Sequence, residues 1–236
     1  MKIPAFLMRQ SVTQAALIIA IISFISKFFG FFREVLVAKY FGATGQTDAF
    51  LVALIIPSMI LGLFSNGFNT LIIPFYLEKK AQSQEAARRF VNSAFMVWGS
   101  LFVFLSILIF LFAPTCVRII AYGFKGETFQ LAVNLTRYLL IFGLFTVFVG
   151  MFTGLFQAEK QFFFPTFVTF LGNIVLVGSL FFLHHYLGLH SWTLGQIFSS
   201  GFAFFSMLII LYWRQKFFHS LNYSQIDWSC QVLFAI

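Results

Sequence analysis

The chain has 236 residues, of which 60% are apolar and only 9% charged, with a mean hydropathy of +0.93. That composition excludes a soluble globular domain, whose surface needs far more charge. The net charge of +8 is spread between apolar runs and is not gathered into the patch a nucleic-acid-binding protein presents, so no nucleic-acid partner is expected. The expectation is an all-α polytopic membrane protein. Stretches long enough to cross a hydrocarbon core, about 17–25 residues as helix, recur over 13–35, 48–73, 90–113, 131–157, 163–187 and 192–213, and a seventh begins at Val232. Continuous apolar runs such as SLFVFLSILIFLFA (100–113) lack the alternation of a barrel strand and satisfy their backbone in lipid only as helices. The 38 phenylalanines are read as lipid-facing bulk.

The first span follows Lys2 and Arg9 but ends in no small-x-small cleavage site, so it is a retained anchor. Along it Thr13, Ala16, Ala20, Ser23, Lys27, Gly30 and Glu34 alternate steps of three and four, so that one stripe, every member of which is small, polar or charged, avoids lipid. A lysine at that depth costs about 2.5–3.5 kcal/mol on insertion, so Lys27 is expected to be paired, hydrated or functional. Two readings stand side by side: an ion-pair cluster of Lys27, Arg33, Glu34 and Asp48, or a hydrated cavity whose cations await an anionic ligand. Lys27, Arg33 and Lys39 outnumber Glu34 and Asp48 by one, which favours an anionic passenger such as a diphosphate.

The second span repeats the polar seam at Asp48, Leu51, Ile55, Ser58, Gly62, Ser65 and Asn69, and the fourth at Gly143, Thr146, Gly150, Thr153 and Gln157. For Ala16, Ala20, Gly150 and Gly154 close helix packing is the simpler reading. Between the second and third spans, EKKAQSQEAARR (78–89) sets Glu85 and Arg89 at i,i+4 and opens the third helix. APTCVRIIAYGFKGETFQ (113–130) starts at a proline and reads as a loop. Arg137 lies near the outer end of the fourth span, Asn173 within the fifth is expected to bridge helices, and Trp192, Tyr212 and Trp213 fit interfacial anchoring. His184, His185 and His190 have no acidic or thiol companion, so neither metal nor cofactor is expected. Cys116 and Cys230 define no disulfide framework.

With the amino terminus inside, cytoplasmic segments hold Lys2, Arg9, Lys79, Lys80, Arg88, Arg89, Lys160, Arg214 and Lys216, against Arg33, Lys39, Arg118 and Lys125 outside. The expected organisation is a six-helix transmembrane lobe over 1–217, then a cytoplasmic linker and the truncated start of a second lobe over 218–236. An enzyme of membrane lipids would need clustered acids, and none of the seven forms a DxD or HxE group. A cation-coupled drug exporter would favour an acidic cavity over a basic one.

SFISKFFGFFREVLVAKYFGATGQTDAFLVALIIPSMI (23–60) resembles the amino-terminal signature of the MurJ/MviN lipid II flippases, within the MOP exporter superfamily that includes the MATE-like transporters. The matching residues are Ser26, Lys27, Gly30, Arg33, Glu34, Phe41, Gly42, Thr47, Asp48, Ala49, Phe50 and Pro57. LTRYLL and GLFQAEKQFFFPTFVTFLGN are similar to the family's fourth and fifth helices, with Gln157, Lys160, Phe162, Pro165 and Asn173 in register. Such proteins carry fourteen helices, in two six-helix lobes around a cationic cavity with two more lining a lipid-tail groove. The resemblance implies that this chain is the first lobe of a non-enzymatic, alternating-access flippase of the bacterial inner membrane, completed by a second lobe or chain. It implies that Lys27 and Arg33 stand for cavity arginines that hold the diphosphate-sugar headgroup of lipid II and that Asp48 is the acid that organises them; Glu34, from the stripe of the first span, and Arg137 are further candidate cavity residues. Gly30, Pro57 and Gly62 are the expected packing or hinge positions. Where the family carries an Arg-Arg pair this chain has Leu61 and Gly62, and Asn66 replaces an acid. That leaves another polyprenyl-linked glycan of O-antigen or teichoic type, or an inactive truncated remnant, as alternatives.

Overall fold

The computed structural model describes residues 12–215; the expected linker and seventh helix lie outside them. In chain order the elements are α1 (Val12–Phe41), α2 (Gly45–Gly67), a π turn (Phe68–Ile72), α3 (Ile73–Gln82), α4 (Gln84–Ile120), α5 (Gly126–Ala158), α6 (Phe163–Leu187) and α7 (His190–Gln215). Five units, α2 through α3, α4, α5, α6 and α7, are long and apolar enough to cross a membrane. At 30 residues α1 measures about 45 Å, also enough to cross.

Local chemistry sets the breaks. Gly42, at φ +60°, ends α1 with its N–H on Ala38 O at 3.1 Å. Ser83 leaves the helical region and caps α4 by accepting from Ala86 N at 3.0 Å, which separates α3 from α4 within the polar 78–89 segment. The π turn precedes Pro74, whose missing N–H already breaks the ladder there. Pro114 behaves differently from its sequence reading. The helix runs through it to Ile120, so the connection shrinks to Ala121–Lys125.

Helix α5 is the hub, packed on α2, α4 and α7, while α6 packs on α7 and carries α1 on its other side. Side-chain meetings give the directions. Ser65 faces Gly150 and Asn69 faces Gly154, so α2 and α5 run parallel. Phe95 meets Phe152 while Phe110 meets Arg137, so α4 and α5 run antiparallel. Ser26 meets Asn173 and Tyr40 meets His184, so α1 and α6 run parallel. Six crossings in alternating directions bring the Val12 and Gln215 ends to the same side of the bundle.

The core between α2, α4, α5 and α7 is aromatic: Phe68, Phe102, Phe152 and Phe156 are at most 2% exposed, with edge-on and stacked ring contacts among their neighbours. The phenylalanines therefore divide between lipid-facing positions such as Phe24 and Phe182 and this interior. Trp192 also departs from expectation. It is buried against Phe50 and Phe41, because the short α6–α7 turn folds the start of α7 back over α2. Trp213 and Tyr212 remain exposed.

Candidate functional site

Helix α1 has three faces. Ser26, Phe29, Arg33, Val37 and Tyr40 face the rest of the lobe: Ser26 accepts from Asn173 Nδ2 at 2.8 Å, Phe29 meets Phe170 edge-on, and Tyr40 stacks on His184 at 3.7 Å. Phe24, Phe28 and Phe31, 64–75% exposed, lie on the opposite side. Between these two faces runs the polar stripe, turned from the packed face by roughly 100°, one residue's rotation. The helix thus meets the lobe, an open polar space and an apolar surround at once. Ala20, Lys27 and Glu34 on that stripe are exposed, and Ser23 and Gly30 half-buried.

Lys27 and Ser23 line a groove of about 410 Å³ closed by Thr153 and Gln157 from α5 and by Thr166 and Thr169 from α6. Two of the polar seams expected from the sequence, those of the first and fourth spans, therefore meet on the side of the bundle that carries Val12 and Gln215. Asn173, bridging α6 to α1 as expected, fixes the rotation that turns Lys27 into the groove. Thr169 also lines a smaller pocket of about 180 Å³, where Arg33 stands over Thr146, Asn173, Gln196 and Ser199. Lys27 and Arg33 thus line two adjacent pockets that share Thr169, the second reaching α7 through Gln196 and Ser199.

The ion-pair cluster does not form. Arg33 pairs with its neighbour Glu34 at 2.5 Å, and among the described residues no ion pair engages Lys27 or Asp48. Lys27 lies about 21 Å before the end of α1 by helical rise, whereas Asp48 is exposed in the first turn of α2 just past that end. Arg137 turns away from the groove onto α4. Its Nε donates to Phe110 O at 3.4 Å and its guanidinium lies over the Phe110 ring. Phe110 O is the carbonyl that Pro114 leaves without an intrahelical donor, so Arg137 repairs the α4 ladder.

Of the three expected packing positions only Pro57 is in close contact, facing Gly143 of α5; nothing lies within 4 Å of where a side chain would start at Gly30 or Gly62. Gly150 and Gly154, expected to pack closely, do so, their faces filled by Ser65 and Asn69. Gly62 lines a neutral groove of about 590 Å³ with Ser58, Asn66 and Thr70. Sequence reading missed Thr166 and Thr169 of the Lys27 groove, though their i,i+3 spacing was a usable signal. It also missed the contact of Lys80 Nζ with both Glu159 oxygens, at 2.5 and 2.6 Å, joined by Tyr76 Oη; residues some 80 apart carry no local signal.

Over its described residues, an all-helical bundle of long apolar helices with polar pockets beside Lys27 and Arg33 defines a multi-pass membrane protein. The family model for "Lipid II flippase MurJ" matches residues 37–227, a range that holds Asp48, Pro57, Gly62 and Arg137 and begins after Lys27, Gly30, Arg33 and Glu34. The chain belongs to the MurJ lipid II flippase family. It is 31% identical over 86% of its length to a probable lipid II flippase MurJ of Aquifex aeolicus, covering 40% of that relative. To the lipid II flippase MurJ of Thermosipho africanus it is 27% identical over 84% of its length, covering 41% of that protein. A solved lipid II flippase MurJ in an inward closed conformation shares the fold, with a TM-score of 0.76 and 24% identity over 93% of this chain and 46% of that one. The chain thus spans less than half the length of these relatives.

Proposed function

We propose that this chain is the amino-terminal lobe, residues 1–217, of a flippase that carries a polyprenyl-diphosphate-linked peptidoglycan precursor, lipid II, across the bacterial inner membrane. Residues 218–236 then lead into a second lobe, supplied by the same polypeptide or another chain, and the amino terminus is cytoplasmic. Transport is by alternating access about a midplane site, with no covalent chemistry. The prenyl tail stays in lipid while the headgroup follows the polar pockets. Lys27 and Arg33 hold the diphosphate, Glu34 orients Arg33, and Asp48 marks the far mouth.

The observation that carries this reading is Lys27 itself: a cation on a spanning helix, without an acidic partner among the described residues, lining a hydroxyl-rich groove. The test is growth rescue in cells depleted of their lipid II flippase by the full-length protein carrying Lys27→Ala or Arg33→Ala. Loss of rescue with normal membrane abundance is expected, and full rescue by Lys27→Ala overturns the assignment. One observation favours a second cargo, another polyprenyl-linked glycan: the groove at Gly62, lined by Ser58, Asn66 and Thr70 together with Met59, Leu63 and Leu71, carries no charged side chain where the family's arginine pair would stand. Rescue of a strain lacking an O-antigen-type flippase, with none in the lipid II-depleted strain, would select that reading.

A further inference from the structure

Between apolar patches at Ile19, Phe162 and Pro165, the Lys27 groove sets Lys27, Ser23 and Ser26 of α1 opposite Thr153, Gln157, Thr166 and Thr169. A hydroxyl has one hydrogen to give and two lone pairs to offer. The Thr166 hydroxyl donates to Phe162 O at 2.9 Å and that of Thr169 to Pro165 O at 2.8 Å. The Thr153 hydroxyl donates to Val149 O at 2.7 Å, its 4.0 Å approach to Met207 Sδ being a far weaker alternative. All three threonines thereby commit their hydrogens to their own helices and keep only lone pairs to offer a ligand. Lys27, on the facing helix, offers three donors and no acceptor. No acidic side chain lines the space, and its volume of about 410 Å³ falls within the range of about 300–1,000 Å³ typical of small-ligand sites.

An anionic phosphoryl oxygen needs donors, so it is matched by Lys27 and opposed by the threonine wall. A sugar ring next to a phosphate presents hydroxyl and amide hydrogens, the complement of an acceptor wall. We infer that Thr153, Thr166 and Thr169 form a sugar subsite beside the phosphoryl position at Lys27, so that this groove reads the first glycosyl residue of the cargo and not the diphosphate alone. Gln157, able both to donate and to accept, bridges the two halves. This inference rests on the proposed lipid-linked cargo and assigns the parts of that cargo to opposite walls.

The experiment compares full-length protein in nanodiscs binding two lipids: a polyprenyl diphosphate without sugar, and the same lipid bearing its glycan. Thr153→Val with Thr166→Val preserves shape and helix while removing two acceptors. Binding of the glycosylated lipid should weaken about tenfold and that of the bare diphosphate stay within twofold, and Thr153→Ser with Thr166→Ser should restore the difference. Equal loss for both lipids, or no loss for either, overturns the inference, and Thr166→Val alone gives the same reading should the double variant fold poorly. Lys27→Ala should weaken both lipids together. If it weakens neither, the cargo assignment itself fails, an outcome distinct from failure of the threonine wall.

Discussion

Arg137 shows how a membrane-embedded charge can serve the backbone. Proline at 114 cannot donate to Phe110 O, and in lipid an orphaned carbonyl costs free energy that water would otherwise offset. The Arg137 guanidinium supplies the donor from the neighbouring helix and gains a ring contact. Arg137→Ala should therefore lower thermal stability in detergent by about 1 kcal/mol, the net value of one such bond. In a Pro114→Ala background, where the helix can bond to itself, the same change should cost measurably less; an unchanged cost in this double-mutant cycle would refute the repair role. At the other end of the bundle the Lys80–Glu159 pair, with side chains 30% and 16% exposed, is worth more than the exposed Arg89–Glu85 pair. Glu159→Ala strands Lys80 and removes one hydrogen-bond partner from Tyr76, and should cost about 1–3 kcal/mol, whereas Glu85→Ala should stay within about 0.5 kcal/mol by the same melting assay.

Among the elements, α2 and α5 depend most on a specific register. A methyl group at Gly150 would overlap Ser65 Oγ and sit 2.9 Å from its Cβ, and one at Gly154 would overlap Asn69 Oδ1. Ser65 Cβ moves only with its helix, so Gly150→Ala should destabilise by about 1–3 kcal/mol through overpacking. Gly62→Ala, one turn of α2 before Ser65 and facing open space, should be neutral or slightly stabilising, since alanine is the better helix former. The sequence put Gly62, Ser65, Gly150 and Asn69 on shared seams, but the small residues that pack and those that face a groove look identical in one dimension. Only the pairing of α2 with α5 separates them. The π turn before Pro74 contributes, because an extra residue there resets the direction in which α3 presents Tyr76 and Lys80 to Glu159.

For the whole molecule, the shape of the lobe leaves α1 attached chiefly through α6, with its polar stripe uncovered. A second lobe covering that stripe would enclose Lys27, Arg33 and the neutral groove of α2 in one aqueous space. Cysteines placed one at a time at Ser23 and Phe24 of the full-length protein should then react differently with a membrane-impermeant thiol reagent. Position 23 should label and position 24, on the apolar face, should not; equal labelling would mean that α1 has no water-facing stripe. Single cysteines at Glu85 and Tyr122 should label from opposite sides of the membrane, Glu85 from the cytoplasm, as the alternating helix directions and the basic loops require.

Composition and apolar run length alone determined the helical, membrane-spanning class and the six spans, because a bilayer permits almost no other backbone. The same one-dimensional signal placed Lys27, Ser23, Thr153 and Gln157 on polar faces, since helical periodicity converts spacing directly into direction. Which faces meet was decided only by the tertiary structure. It turned Arg137 toward a proline-freed carbonyl, kept Asp48 out of any ion pair with Lys27, buried Trp192 and joined Glu159 to Lys80, all through contacts between residues far apart in the chain. Periodicity says that a side chain avoids lipid, but helix packing alone chooses whether it meets another helix or water.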